Sequence, residues 1–349
     1  MRKVHFIWTG VALVFIAAVL LASARGFGDL ADSAEVLTVN NEPVTAREFR
    51  MIMNSGPVAE TYAYFQKKHG AAPGKNFWES NFGGEIPIDY ARGKTVEALV
   101  RIKLNQLLMK QNGVKPDLSY RTFIAGWQKE NARRKAAVAK GEPIYGPVEY
   151  SESEYFRYVL TNDEVALKDR LEQGEFKLTE EELRARYKAA KPQFRLPDSI
   201  KLDKIEIRFD PESSAGREAA KRIIGEAQLQ LTGGASFESV QKKYNKNGQM
   251  LVQLFDETTQ RNDDVIYSGM KAIAEQLQQG QMSEVIETVG SYVILRCSER
   301  ETNRYKPLTE VQDSLKSAYV EEQLKKRLDE QVKSAEVQLN ESVYRRMFA

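Results

Sequence analysis

The stretch Leu231-Thr232-Gly233-Gly234-Ala235-Ser236-Phe237 closes one helix and opens another. Gly233-Gly234 stops the Ala-rich run Ala215–Leu231, because glycine accepts the left-handed backbone on which helices end. A shorter helix then starts at Ser236 and runs to about Tyr244. Working outward, Ile200, Leu202, Lys204, Glu206 and Arg208 alternate with Lys201, Asp203, Ile205, Ile207 and Phe209, the period of a β-strand. Downstream, Val252–Phe255 reads as a short strand, followed by a polar loop to about Asp264. Ser268–Gln278 reads as a helix stopped at Gly280, and Tyr292–Cys297 as a final strand. Strand, two helices, short strand, helix and strand make one compact α/β unit of about 100 residues.

The flanking sequence is helical in character. Val36–Val39 is β-prone and ends on the turn pair Asn40-Asn41. Thr45 with Glu48 reads as a capping box, in which hydroxyl and carboxylate each satisfy a free amide at a helix start. The spacing predicts helices over Gly93–Gln111, with an apolar stripe from Val96 to Leu108, and around Ser119–Ala139 and Glu152–Glu172. A second capping box, Thr179 with Glu182, opens a charged helix that closes near Pro192. After Pro307, Leu308–Gln338 reads as a long charged helix, and Val337–Leu339 as a small terminal strand. No internal repeat or low-complexity segment occurs.

The N-terminus begins Met1-Arg2-Lys3 and continues as an uncharged, mostly apolar run from Phe6 to Ala24. A cationic start before such a run reads as an export signal, cut after Ala22-Ser23-Ala24, or as a membrane anchor. No cysteine directly follows, so a lipoprotein is not expected. Either reading places the body outside the cytoplasmic membrane of a bacterium, and residues 6–24 are its membrane contact if they stay uncleaved. Arg2 and Lys3 account for the whole excess of 51 basic over 49 acidic residues, so the body is neutral and gives no reason to expect nucleic acid. A single cysteine, Cys297, excludes an intramolecular disulfide. With only His5 and His69, little is available for metal or histidine chemistry, and no cofactor is expected.

Several segments together carry a resemblance. Leu231–Phe237 is similar to the joint between the first two helices of parvulin-type (PpiC) prolyl isomerases. Leu277-Gln278-Gln279-Gly280-Gln281-Met282-Ser283 is similar to that family's later L-x-x-G-x-hydrophobic-S segment, with Thr288 and the strand Tyr292–Leu295 at the family's spacing. Val39-Asn40-Asn41-Glu42-Pro43-Val44-Thr45 with Glu48-Phe49 resembles the opening of SurA/PrsA-type extracytoplasmic foldases. The resemblance implies an α+β architecture: a mostly helical chaperone lobe built from N- and C-terminal segments, plus a parvulin-like α/β domain. The expected boundaries are 1–24 for the signal or anchor, 25–195 for the N-terminal helical region, 196–302 for the parvulin-like domain and 303–349 for the helix completing the lobe. It implies unfolded or nascent exported polypeptides as partners.

The departures are chemical. The histidines the family carries in its first and last strands fall at Lys204 and Val293, and no histidine follows His69. The acidic residue or cysteine expected after the second helix is missing from Tyr244–Gly248. Val252, Phe255 and Met270 keep the character of a pocket for a proline ring. Isomerisation needs no nucleophile, but twisting an amide against a barrier of about 18–20 kcal/mol requires placed polar groups. Lys204, as a lysine, reads as a solvent-facing strand residue, Cys297 as a buried apolar one, and His69 as part of a solvated loop. The N-terminal region is rich in aromatics, of which about a third are expected to be exposed as a binding patch. Trp78, Phe82, Trp127 and Tyr155 are the client-binding candidates. The expected function is an extracytoplasmic foldase-like chaperone with doubtful isomerase activity. The alternatives are an active peptidyl-prolyl isomerase and a cell-envelope adaptor for one folded partner.

Overall fold

The computed structural model describes residues 14–15, 30–245 and 251–347. Apart from Val14–Phe15, the expected export segment lies outside the described residues. The chain divides into two compact units, Met1–Thr179 with Ser314–Ala349, and Glu180–Asp313. Among the described residues no helix is long and apolar enough to cross a membrane.

The first unit opens with β1 (Val14–Phe15), β2 (Glu35–Val39) and β3 (Glu42–Thr45). Asn40 and Asn41 make the two-residue turn between β2 and β3, both at positive φ (46° and 67°), the turn whose twist suits a hairpin. Helices α1 (Ala46–Ser55), α2 (Pro57–His69), α3 (Pro87–Gln111), α4 (Tyr120–Ala139) and α5 (Glu152–Gln173) follow. Two of these correct the sequence reading. α2 has no clean apolar stripe, but Pro57 in its first turn and left-handed Gly70 at its end mark it. α3 starts at Pro87, six residues early, because that proline fits a first helical turn. At α1 only half of the capping box forms. Thr45 Oγ1 accepts from Glu48 N, whereas the Glu48 carboxylate turns inward to Lys103.

The second unit begins with α6 (Glu180–Ala190), which closes before Pro192. Then come β4 (Ser199–Arg208), α7 (Ser214–Thr232), α8 (Phe237–Tyr244), β5 (Val252–Phe255), α9 (Gln260–Ile266), α10 (Ser268–Ala274), β6 (Ile286–Thr288) and β7 (Ser291–Glu301). The expected polar loop before Asp264 is thus partly the helix α9. Its start is organised by Thr259, whose hydroxyl bonds the buried Asp263 carboxylate. The sheet order is β5-β4-β7-β6, antiparallel throughout. One face packs Ile205, Ile207, Tyr292 and Ile294 under α7 and α8. The other packs Ile200, Leu202, Phe255, Val293, Leu295 and Cys297 against Met270, Ala274 and Leu277.

The deciding stretches behave as their residues require. Gly234 has φ +94°, Ala235 N bonds Gln230 O, and the Ser236 hydroxyl accepts from Ser239 N. Gly280, at φ +84°, turns Leu277–Ser283 along β7. There Gly280 N bonds Cys297 O at 2.7 Å, Cys297 N bonds Gln281 O, and the Ser283 hydroxyl accepts from Leu295 N.

The chain returns to the first unit through α11 (Leu308–Ser334), β8 (Glu336–Leu339) and α12 (Glu341–Tyr344). The long helix ends four residues before the expected Gln338. β8 pairs antiparallel with β2 (Val337 opposite Val39) and parallel with β1, so the order is β1-β8-β2-β3. Asn40 seals the junction, its amide bonding Glu336 O and its side chain accepting from Glu336 N. Residues more than 290 positions apart share this core, with Val36, Val39, Phe49, Leu99 and Val337 buried together.

Candidate functional site

In the α/β unit the question is what stands on the inner face of β4. Strand alternation carries Ile200, Leu202, Lys204 and Glu206 to the same side. The structure corrects the expectation for Lys204: it is buried, 5% exposed, with Nζ 3.3 Å from Glu206 Oε2. Its stem follows the apolar row of Ile200 and Leu202, and its charge is met two residues along the strand. Glu206 also accepts from Arg208 (3.2 Å) and from the Ser291 hydroxyl (3.2 Å), which shares a 2.7 Å contact with the hydroxyl of Thr288. Burial pushes the Glu206 carboxyl up, but the charges of Lys204 and Arg208 outweigh it and hold the group below the usual carboxylate range.

The strand's backbone is braced here as well. Lys204 O accepts from the side-chain amides of Gln241 (3.0 Å) and Asn245 (2.8 Å), and Glu206 N donates to Asn245 Oδ1 (3.0 Å). Val293 stands opposite Glu206 and is wholly buried, so the second histidine position holds a core residue. Sequence reasoning missed Glu206 and Ser291 as parts of this polar group. The signal was available, since residues two apart on a strand share a face.

The three proline-pocket candidates do not converge. Phe255 and Met270 are buried in one apolar cluster with Leu202, Val293 and Leu295. Val252 is 40% exposed, and alternation along β5 turns it, with Leu254, to the opposite face. Beside Phe255, the buried Gln253 has an Oε1 with no hydrogen-bond partner among the described residues. Phe255 and Met270 are thus core residues of this unit, 2% and 6% exposed. Cys297 lies in the same cluster, and burial pushes its thiol up, away from nucleophilic use.

In the helical unit the four aromatic candidates form two groups, each half-buried. Trp78 packs edge-on to Tyr62 (4.9 Å) and Phe77 (5.2 Å), and Phe82 lies 5.5 Å from Phe65. Trp127 donates from Nε1 to Tyr150 O at 2.8 Å, and Tyr155 stacks on Phe123 at 5.7 Å. Among the described aromatics of this region only Tyr145 and Tyr158 are strongly exposed, fewer than the third expected. Core packing takes most of these rings.

His69 is not in a solvated loop. It ends α2, stacks on Phe65, and sets Nε2 2.9 Å from Glu85 Oε2. With His69 first, then Lys68 and Tyr64, this holds the Glu85 carboxyl at about 2. A buried ion pair lies deeper, with Lys103 Nζ 2.9 Å from Glu48 Oε1 and both side chains 1% exposed. Among the described residues no group of three or more His, Cys, Asp or Glu side chains is placed to hold a metal ion.

Comparison with known proteins fits this description of the α/β unit. Residues 178–313 match the profile of the PPIC-type PPIase domain. No curated protein matches the chain. Among solved structures it is similar to one of two SurA-like chaperones described together in Campylobacter jejuni (15% identity, TM-score 0.31, covering 86% of this chain and 96% of that one). It is also similar to the foldase PrsA of Streptococcus pneumoniae (14%, TM-score 0.24, 83% and 86%). PrsA of Bacillus subtilis gives 14%, TM-score 0.21, 87% and 92%. The part of the chain that is similar to a known family is therefore residues 178–313, which resemble the PPIC-type PPIase domain.

Proposed function

We propose that the chain is an extracytoplasmic folding factor that holds unfolded exported polypeptides, and that its parvulin-type domain serves as a non-catalytic module. The observation that carries this reading is the Lys204–Glu206 ion pair at the first histidine position, with Phe255 and Met270 buried in the core of the same unit. Lowering the isomerisation barrier requires polar groups aimed at a twisted amide held in an open pocket. Here the cation is spent on a neighbouring carboxylate, and the apolar residues fill their own cluster.

The holding role is supported by the family that residues 178–313 resemble, by the foldase-like opening Val39–Phe49, and by the reading of residues 6–24 as an export signal or anchor. The exposed Tyr145 and Tyr158 offer the apolar area with polar tips that diverse unfolded segments can use. The test is aggregation of a chemically denatured client, followed by light scattering. Suppression at near-stoichiometric chain supports the reading. Unchanged aggregation contradicts it, and capture of one folded partner in fixed ratio favours an envelope adaptor.

A further inference from the structure

The exposed face of α4 is strongly one-signed. Over Tyr120–Ala139 the helix carries Arg121, Lys129, Arg133, Arg134 and Lys135 against a single acid, Glu130, and Lys140 follows as its C-cap. At 3.6 residues per turn, Arg121, Lys129, Arg133, Lys135 and Lys140 fall within about 160° of arc. All five are exposed. Glu130 lies outside that arc and is taken up by Arg133 and Arg134. Arg134 points the other way, into the protein, where its guanidinium holds the carbonyls of Tyr145 and Pro147 and covers the Tyr150 ring at 4.6 Å.

Arg121, Lys129 and Lys140 have no carboxylate partner among the described residues. Lys135 has only an exposed pair with Glu149, at 2.8 Å with both side chains more than half exposed. Such a pair is worth little and exchanges readily. Between the cations the face is low. Ala125, Ala132, Ala136 and Ala139 are all exposed, and each offers only a methyl group. The cations thus flank a shallow strip about 28 Å long at 1.5 Å per residue.

We propose that this face of α4 docks on an anionic lipid bilayer surface. Charge complementarity favours an anion, and the shape selects its kind. Among the strip's own described residues none is aromatic, so it offers no ladder of rings on which successive bases could stack. A flat array of lipid phosphates can meet all five cations at once, with the alanines allowing close approach. Docking at this face requires neither residues 6–24 nor the client-holding reading, and it stands or falls without either.

The experiment is flotation of the full chain with vesicles of phosphatidylcholine alone and of phosphatidylcholine with phosphatidylglycerol. Insertion of the N-terminal apolar run contributes to both compositions, and its Arg2 and Lys3 add to the anionic one, so the readout is the part of the charge increment that the α4 variants remove. At about 1 kcal/mol per cation near the surface, the anionic vesicles bind at least about tenfold more tightly, and high salt removes the difference. Lys129→Glu with Lys140→Glu, at two unpaired exposed positions, removes the α4 part of the increment without changing binding to neutral vesicles or the unfolding temperature. Ala132→Glu, at the centre of the strip, does the same independently. Equal binding to the two vesicles, or an increment that both variants leave unchanged, overturns the proposal. So does soluble polyglutamate binding that these variants weaken while the vesicle increment is absent, a result that would assign the face to acidic polypeptides.

Discussion

Lys204 and Glu206 stand two residues apart on one face of β4, with Nζ 3.3 Å from Oε2, and bury a positive charge at the position where the resemblance leads one to expect a histidine. A paired, nearly dry ammonium is a structural element first. Breaking such a pair by removing one partner costs about 3–5 kcal/mol, whereas replacing both by apolar groups of similar volume is often neutral. Lys204→Ala is therefore expected to destabilise the α/β unit by about 2–4 kcal/mol, less than the full range because Arg208 and Ser291 still hold Glu206. Lys204→Met with Glu206→Leu should recover most of that loss. Denaturant unfolding of both variants checks it, and a fully stable Lys204→Ala would mean the pair contributes nothing.

Met270 separates a core from a pocket. If it fills the cluster beside Phe255 and Leu202, Met270→Ala opens a cavity and costs about 2–5 kcal/mol. The chain's suppression of client aggregation, measured well below the unfolding transition, stays unchanged. A variant of normal stability that loses peptide binding would instead make Met270 a ligand contact.

The Lys103–Glu48 pair gives the helical unit a parallel test. Burial pushes the Glu48 carboxyl up, with the Lys103 charge opposing it. Lys103→Met leaves that carboxyl without its cation and should cost about 3–5 kcal/mol. Adding Glu48→Gln removes the orphaned charge and should restore part of the stability. Thermal unfolding of the single and double variants reads the coupling directly.

Glu85 sets an acid limit for the aromatic cluster around Phe65 and Phe77. Its folded value of about 2 lies below the ordinary value of about 4.3. The contribution is therefore present above about pH 4.3 and is lost as pH falls toward 2. Near-ultraviolet circular dichroism followed across that range should show the cluster loosening. Glu85→Gln should flatten this part of the pH dependence, and an unchanged acid profile would rule the contact out as its source.

Arg134 tests the loop between α4 and α5. Its guanidinium holds two loop carbonyls, and Asn131 adds bonds to both N and O of Tyr150. Arg134→Ala leaves these carbonyls unmet, and residues 141–150 are expected to become the first site of limited proteolysis. A cleavage pattern identical to that of the unaltered chain would contradict the assignment.

The α/β unit was largely legible because its signals are local. Gly234 and Gly280 adopt the positive φ that a glycine stop implies, Ser236 caps as a serine should, and β5 has the predicted bounds. The joining of both chain ends in one unit was implied only by the family resemblance, and β8 was read locally as no more than a small terminal strand, since pairing over nearly 300 residues leaves no local mark. α2 was missed because its tyrosines and alanines spread around the helix, although Pro57 and Gly70 were readable limits. The site was misread for another reason. Lysine's usual exposure outweighed an alternation that already placed Lys204 beside Leu202 and Glu206. The same alternation, applied to β5, would have separated Val252 from Phe255.

The most direct test of a parvulin-type domain without catalysis is a protease-coupled isomerisation assay on an X-Pro peptide with the full chain. The expected result is a cis-to-trans rate equal to the uncatalysed one at every chain concentration. A rate that rises with chain concentration and falls on Met270→Ala would contradict the account.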